Sequence, residues 1–266
     1  MFSFCGRVAS ILILFPSTAP QPIGQAERRL IPYSGGQLEA LIARSPGCGW
    51  QSPRAIVVAF TGNAGRVEWS AQADANRWGS LPVEVWAFNH PGFGQSTGPA
   101  TLARLAPAAL AAYDAAAAAN PGKPIILEGT SLGCTMALHA AAERRPAGMF
   151  LRTPPPLRQL ILKRHGWWNL WLLAGPVASG VPAELSVMRT APRVHCPAVF
   201  LLIDHDNVVP YAYQQAVADA FAGPKKTVIL RADDHNAPLD AARTQCAEAQ
   251  EWLWEQINRI NTLGPG

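Results

Sequence analysis

Ser131 stands between Gly129 and Gly133 in the stretch EGTSLGCTMALHAAAE, after an apolar run and before a helical one. A serine so placed can be a nucleophile held out at a sharp strand-to-helix turn, where small neighbours remove the clashes the turn creates. The helix N-terminus behind it offers unpaired N–H groups and a favourable dipole for a developing oxyanion, with the Leu132 N–H the first expected donor. Such a serine needs a base to take its proton and an acid to orient that base. Six histidines compete for the first role: His90 in a Pro-Gly loop, His139 in the helix after the serine, His165, His195 ahead of a strand, His205 and His235. Asp204, Asp206, Asp233 and Asp234 compete for the second. The chemistry implied is acyl transfer.

Strands must bring these residues together. RAIVVAFT (54–61) is a short, continuously apolar and β-branched run, as expected of a strand covered on both faces. VEVWAFN (83–89), PIILEGT (124–130), GMFLRTP (148–154), PAVFLLID (197–204) and KTVILRAD (226–233) are of the same kind. RRLIPYS and LEALIARS read as paired strands around Ser34-Gly35-Gly36. Helical stretches lie between them: an alanine-rich one at 101–120 closed by Asn120-Pro121-Gly122, another at 211–223, and a C-terminal one. In the last, Leu239, Ala242, Cys246, Ala249, Leu253, Ile257 and Ile260 form one apolar face. The alternation predicts an α/β chain with a mostly parallel, doubly wound sheet flanked by helices. Active groups on such a sheet gather beyond the carboxyl ends of the strands. Each strand there is followed by polar or glycine-rich residues, among them TGNAG, NHPGFGQS, GTSLG, DHDNVVP and DDHN.

Residues 155–192, with Trp167, Trp168 and Trp171 close together, are too long for a simple connection. They are expected to form a small lid-like insertion plus a short helix within a single domain covering 1–266, the tryptophans packing inward or offering a surface to substrate.

In this order the segments resemble a serine-type α/β-hydrolase, whose signature is a G-x-S-x-G elbow followed by an acid and then a histidine. FTGNAG is similar to the family's His-Gly-Asn-Ala-Gly oxyanion loop. NHPGFGQSTG resembles its Pro/Arg-Gly-aromatic-Gly-x-Ser segment, and DHDNVVP its Gly-x-x-Asp-x-Val-Val-Pro turn. The match runs over about residues 30–260 and is close to the ABHD13/ABHD17-like, Bem46-type branch. The resemblance implies the α/β-hydrolase fold, Ser131 as nucleophile, His235 as base and Asp206 as its orienting acid. It implies Asn63 as the second oxyanion donor beside Leu132. Gly62, His90 and the three tryptophans are then expected to meet substrate. Two departures stand out. Thr61 replaces the histidine expected before Gly62, and Glu128 puts a carboxylate at the end of a central strand. Buried there, Glu128 needs hydrogen bonds or a raised pKa, and a structural role is expected.

The implied activity is hydrolysis of a small-molecule carboxylic ester or thioester, without metal or cofactor. An aminopeptidase or amidase with the same triad is the alternative, and a catalytically silent binding protein a third reading. Bulk properties agree. The 266 residues are 49% apolar and 15% charged, with a net charge of +4 and no concentrated basic stripe for nucleic acid. Five cysteines lack C-x-x-C spacing, so free thiols are expected and neither a zinc site nor a disulfide framework. The apolar run Val8–Phe15 is too short to span a bilayer and at the short end for a secretory leader. A cytoplasmic protein whose N-terminal segment packs on the domain is expected, with export the alternative; oligomeric state is left open.

Overall fold

The apolar runs do form the centre of a sheet. In a computed structural model, which describes residues 4–165, 172 and 174–263, eight strands lie in the order β1-β2-β4-β3-β5-β6-β7-β8. They are β1 (Glu27–Tyr33), β2 (Gly36–Arg44), β3 (Ala55–Phe60), β4 (Val83–Phe88), β5 (Ile125–Thr130), β6 (Gly148–Arg152), β7 (Ala198–Ile203) and β8 (Lys225–Leu230). Strands β1 and β2 form an antiparallel hairpin, in which Tyr33 pairs with Gly36, and β2 runs antiparallel to β4; every other neighbour is parallel. Strands β3, β4 and β7 are buried along their whole length, which is why their sequences show no alternation.

Helices cover both faces. They are α1 (Phe4–Ile13), α2 (Val67–Arg77), α3 (Leu102–Ala119), α4 (Leu132–Arg144), α5 (Leu157–His165), α6 (Ala174–Ser179), α7 (Val187–Thr190), α8 (Tyr211–Ala220) and α9 (Arg243–Leu263). One apolar layer joins α3 and α4 to the sheet through Leu105, Ala109, Met136 and Phe200. The other joins α2 and α9 through Val67, Ala71, Leu253 and Ile257. This is the mostly parallel, helix-flanked sheet of an α/β-hydrolase fold.

One element differs from the sequence reading. Helix α2 was not foreseen, because its buried face consists of Val67, Ala71 and Ala75 in an otherwise polar stretch. The N-terminal segment forms a helix, α1, in contact with α3 and α6. Among the described residues no helix is long and apolar enough to cross a membrane. Trp167, Trp168 and Trp171 lie outside the described residues.

Candidate active site

Strand β5 runs straight into α4, and the one residue between them is Ser131, at φ 50° and ψ −120°. A non-glycine residue at positive φ is strained and persists only where its surroundings enforce it. Here the enforcement is visible. A Cβ on Gly129 would sit 2.7 Å from the Cys134 Cα, and one on Gly133 would sit 2.1 Å from the Phe60 carbonyl oxygen. The helix start is thus pressed against the ends of β5 and β3, which only glycine allows. The Ser131 N–H donates to the Arg152 carbonyl at the end of β6 (2.8 Å), tying the turn to the neighbouring strand.

The segment after β7 carries the candidate acid. Asp206 Oδ1 accepts the N–H groups of Val208 (2.8 Å) and Val209 (2.7 Å), and Oδ2 accepts the Gln214 amide (3.2 Å). The Oδ2 atom also lies 2.6 Å from His235 Nδ1, with the Asp206 side chain wholly buried. Four hydrogen bonds fill the capacity of an ionised carboxylate. They fix His235 with Nδ1 protonated and Nε2 free to accept a proton. Asp204 does not take part: its Oδ1 accepts the Ala232 N–H (3.0 Å) and joins the ends of β7 and β8. Asp234 holds its own loop through the Asn236 N–H (3.1 Å).

Three residues that sequence patterns did not single out hold this pair in place. Arg152 donates from Nη2 to the carbonyls of Ala237 (2.6 Å) and His235 (3.3 Å), so one residue braces the serine turn by its backbone and the histidine loop by its side chain. Asn207 Oδ1 accepts the His235 N–H (3.3 Å). Gln214, fully buried, binds Ile203 on both backbone atoms and the Val209 carbonyl (2.6 Å) as well as Asp206. Their residue types and spacings carry no signal until the chain is folded. Among the described residues Ser131 Oγ has no hydrogen bond. Base–nucleophile contacts of this kind commonly tighten only around substrate.

The loop expected to supply an oxyanion donor follows β3. The Gly62 position comes within 3.6 Å of the Ser131 Cβ, measured from an added Cβ. Among the described residues neither the Asn63 N–H nor the Leu132 N–H has a partner. The Asn63 side chain is already committed, its Nδ2 donating to the Ile13 carbonyl (3.0 Å). A backbone pair, Leu132 and Asn63, is therefore what remains open to an oxyanion.

His90 is buried beneath this loop. Its Nε2 donates to the Thr61 carbonyl (3.1 Å), and among the described residues its Nδ1 has no partner. Burial pushes its pKa down to about 4, against the pull of the Thr61 and Gly62 carbonyls. It braces the loop from below and is not among the residues that line the cavity beside Ser131. Of the other histidines, His195 and His205 are exposed and His139 is buried in α4; the side chain of His165 lies outside the described residues.

Glu128 points away from the chemistry. It pairs with Arg77 of α2, which also pairs with Asp74. Burial and the Asp74 charge push Glu128 upward from the usual carboxylate range, and Arg77 opposes them. Cys134, under the turn, bonds the carbonyls of Gly129 and Arg152 (both 3.1 Å), and burial pushes its thiol far up. All five cysteines are free, and among the described residues no group of side chains could hold a metal ion.

A cavity of about 410 Å³ opens beside Ser131 at the carboxyl ends of the strands. Its walls are apolar, with Leu157, Leu160 and Ile161 from α5 and Val209 and Pro210 after β7; Lys163 and Arg164 also line it. A larger cavity of about 820 Å³ lies at the amino ends of β5, β6 and β7, around Asn120, Lys123 and Pro146. It contains none of the triad candidates.

Comparison with known proteins agrees with this fold. The family described as Serine aminopeptidase, S33 matches residues 51–172. An uncharacterized protein of Mycobacterium tuberculosis (strain H37Rv) is 28% identical over 239 residues, covering 85% of this chain and 80% of its own. The structure of Est1E from Butyrivibrio proteoclasticus with ferulic acid bound superposes with a TM-score of 0.69 at 18% identity, over 86% of this chain and 99% of that one. The esterase Pf2001 of Pyrococcus furiosus gives a TM-score of 0.67 at 14% identity, over 93% and 97%. Sheet order, the strained serine turn and these structural likenesses give the chain the α/β-hydrolase fold, and its residues 51–172 are similar to the serine aminopeptidase family.

Proposed function

We propose that the protein is a serine hydrolase that cleaves small carboxylic esters or thioesters through an acyl-enzyme on Ser131. The observation that carries this reading is the 2.6 Å Asp206–His235 pair, tied through Arg152 to the turn that holds Ser131 at positive φ. In this mechanism Ser131 Oγ attacks the carbonyl carbon as His235 Nε2 takes its proton. The tetrahedral oxyanion is stabilised by the N–H groups of Leu132 and Asn63, at about 3–4 kcal/mol for each donor. His235 then protonates the leaving alcohol or thiol, and the acyl group stays on Ser131. Water activated by His235 attacks the acyl-enzyme, and the acid leaves with Ser131 reprotonated. Asp206 holds the imidazole and steadies its positive charge throughout without taking the proton.

The apolar cavity supports an acyl or small aromatic ester, and the ferulic acid bound by Est1E is an acid of that kind. The order and spacing of the four motifs favour the Bem46-type branch, in a single domain with residues 155–192 as a lid-like insertion. A second reading, an aminopeptidase or amidase with the same triad, is favoured by the match to the serine aminopeptidase family. A fluorophosphonate probe and a panel of acyl esters, acyl thioesters and aminoacyl amides decide between them. An adduct on Ser131, ester or thioester turnover, and loss of both in Ser131→Ala are expected. Turnover confined to aminoacyl amides transfers the assignment to the second reading. A folded protein with no adduct and no turnover leaves a binding protein.

A further inference from the structure

Leu12 and Ile13 line the cavity that holds Ser131, although they belong to an N-terminal helix remote from it in sequence. This helix is built into the molecule. Ala9 and Leu14 are buried in the core. Ser10 Oγ accepts the N–H of Leu102 at the start of α3 (3.1 Å). A Cβ on Gly180 would lie 2.5 Å from the Cys5 carbonyl carbon, so the chain just after α6 touches α1 backbone to backbone. Beyond the helix, the Ser17 carbonyl accepts the N–H of Gly94 (2.9 Å) and Nη1 of the buried Arg66 (2.9 Å).

The end of α1 also grips the oxyanion loop from two sides. The Ile13 carbonyl accepts the Asn63 amide (3.0 Å), and the Asn63 carbonyl accepts the Phe15 N–H (3.1 Å). These bonds occupy the Asn63 side chain and carbonyl and leave its N–H open, the orientation an oxyanion donor requires. One short segment thereby meets two needs of an acyl-transfer site: an apolar wall for the chain and a fixed donor for the charge.

We infer that α1 is a component of the acyl-binding site, with Leu12 and Ile13 packing on the acyl chain and setting its length while the Ile13–Asn63 contact holds the oxyanion loop. The substrate class is an ester or thioester of an apolar acid long enough to reach from Ser131 to this wall. Leu157, Leu160 and Ile161 extend this apolar wall, while Lys163, Arg164 and Asn207 line other parts of the cavity. Each methylene buried against the apolar wall is expected to raise kcat/KM by about fourfold, until the space is filled. The inference rests on Ser131 being the acylated residue.

The test uses the full chain and p-nitrophenyl esters from acetate to laurate. Wild type, Leu12→Ala, Leu12→Trp and Ile13→Trp are compared by kcat/KM at each length, with Ser131→Ala as the blank. Both tryptophan variants shorten the cavity, so the octanoate-to-acetate ratio is expected to fall at least about tenfold, the loss of about two methylenes at the rate above. Leu12→Ala is expected to move the optimum to longer chains. Leu12 is partly exposed, so its variants report even where Ile13→Trp does not fold. An unchanged length profile in the Leu12 variants, beside Ser131-dependent turnover, overturns this inference alone. Absence of Ser131-dependent turnover in folded wild type removes the hydrolase reading and this inference with it.

Discussion

At the scale of single residues, charge and proton placement separate the histidines more sharply than position does. His235 Nδ1 faces a carboxylate held by three further donors, whereas His90 Nδ1 faces no partner among the described residues and its Nε2 proton is committed to a carbonyl. A second proton on His90 would be buried without an acceptor, which explains a pKa near 4. The consequence for stability has a definite sign. Between pH 6.5 and about 4 the unfolded chain binds a proton here that the native chain does not. Stability is therefore fully present above 6.5 and is lost as pH falls towards about 4, by up to about 3 kcal/mol. His90→Gln keeps a donor for the Thr61 carbonyl but cannot titrate. Urea unfolding at about pH 7 and about pH 4.5 is expected to show a smaller acid loss in the variant than in wild type; equal losses would show that His90 is not held neutral. Ser131, Asp206 and His235 were legible as candidates because each lies in the polar or glycine-rich segment that follows a strand. Arg152, Asn207 and Gln214 were not, since each acts through backbone atoms that only tertiary structure brings near.

At the scale of elements, the sheet was legible where strands are buried on both faces. The runs at 54–61 and 124–130 became β3 and β5 with one residue or so trimmed at the ends. The strand order was not, because the excursion of β4 outside β3 leaves no trace in a run of apolar residues. Nor was the contact that shapes the serine turn, the start of α4 against the end of β3. Gly133 makes that contact: a Cβ would fall 2.1 Å from one backbone oxygen and 2.7 Å from the next, of Phe60 and Thr61. Backbone cannot swing aside as a side-chain tip can, so Gly133→Ala must push α4 off β3. Alanine gains about 1 kcal/mol in helix propensity, and overpacking typically costs about 1–3 kcal/mol or more when backbone is struck. The clash is expected to win, lowering Tm and widening the gap between the Leu132 and Asn63 donors. Gly62→Ala meets only an ordinary 3.6 Å contact with Ser131 Cβ and is expected to unfold near the wild-type temperature. Thermal unfolding of the two variants side by side tests this, and a Gly133→Ala protein as stable as wild type would contradict it.

At the scale of the whole molecule, the loop NHPGFGQSTG and the chain just after α1 are tied into one polar network. Asn89 donates to Glu39 and Glu68 (both 2.8 Å) and accepts the Val67 N–H (3.1 Å). Glu39 also accepts Arg28 (2.7 Å) and the Gln95 N–H (2.7 Å), while Ser96 links the Glu39 N–H to the Asn89 carbonyl. Gly94 is required because a Cβ there would overlap both Asn89 and Glu39. Arg66 extends the network: it pairs with Glu68 on one side and donates to Ser17 and Ala19 carbonyls on the other, with both partners of the ion pair about 1% exposed. Burial pushes Glu68 up, but Arg66 and Asn89 outweigh it and hold its pKa below the ordinary value. Removing one partner of such a pair strands a buried charge, at about 3–5 kcal/mol. Arg66→Met is thus expected to be severely destabilising and to loosen the segment that carries Leu12 and Ile13. Glu68→Gln keeps an acceptor for Asn89 while removing the stranded charge. If the ion pair is what holds the segment, Glu68→Gln should cost less in the Arg66→Met background than in wild type, by about 0.5–3 kcal/mol of coupling. Urea unfolding of the four proteins measures that coupling. Simple additivity would mean that the Ser17 and Ala19 carbonyl contacts, not the charge pair, anchor the N-terminal wall of the site.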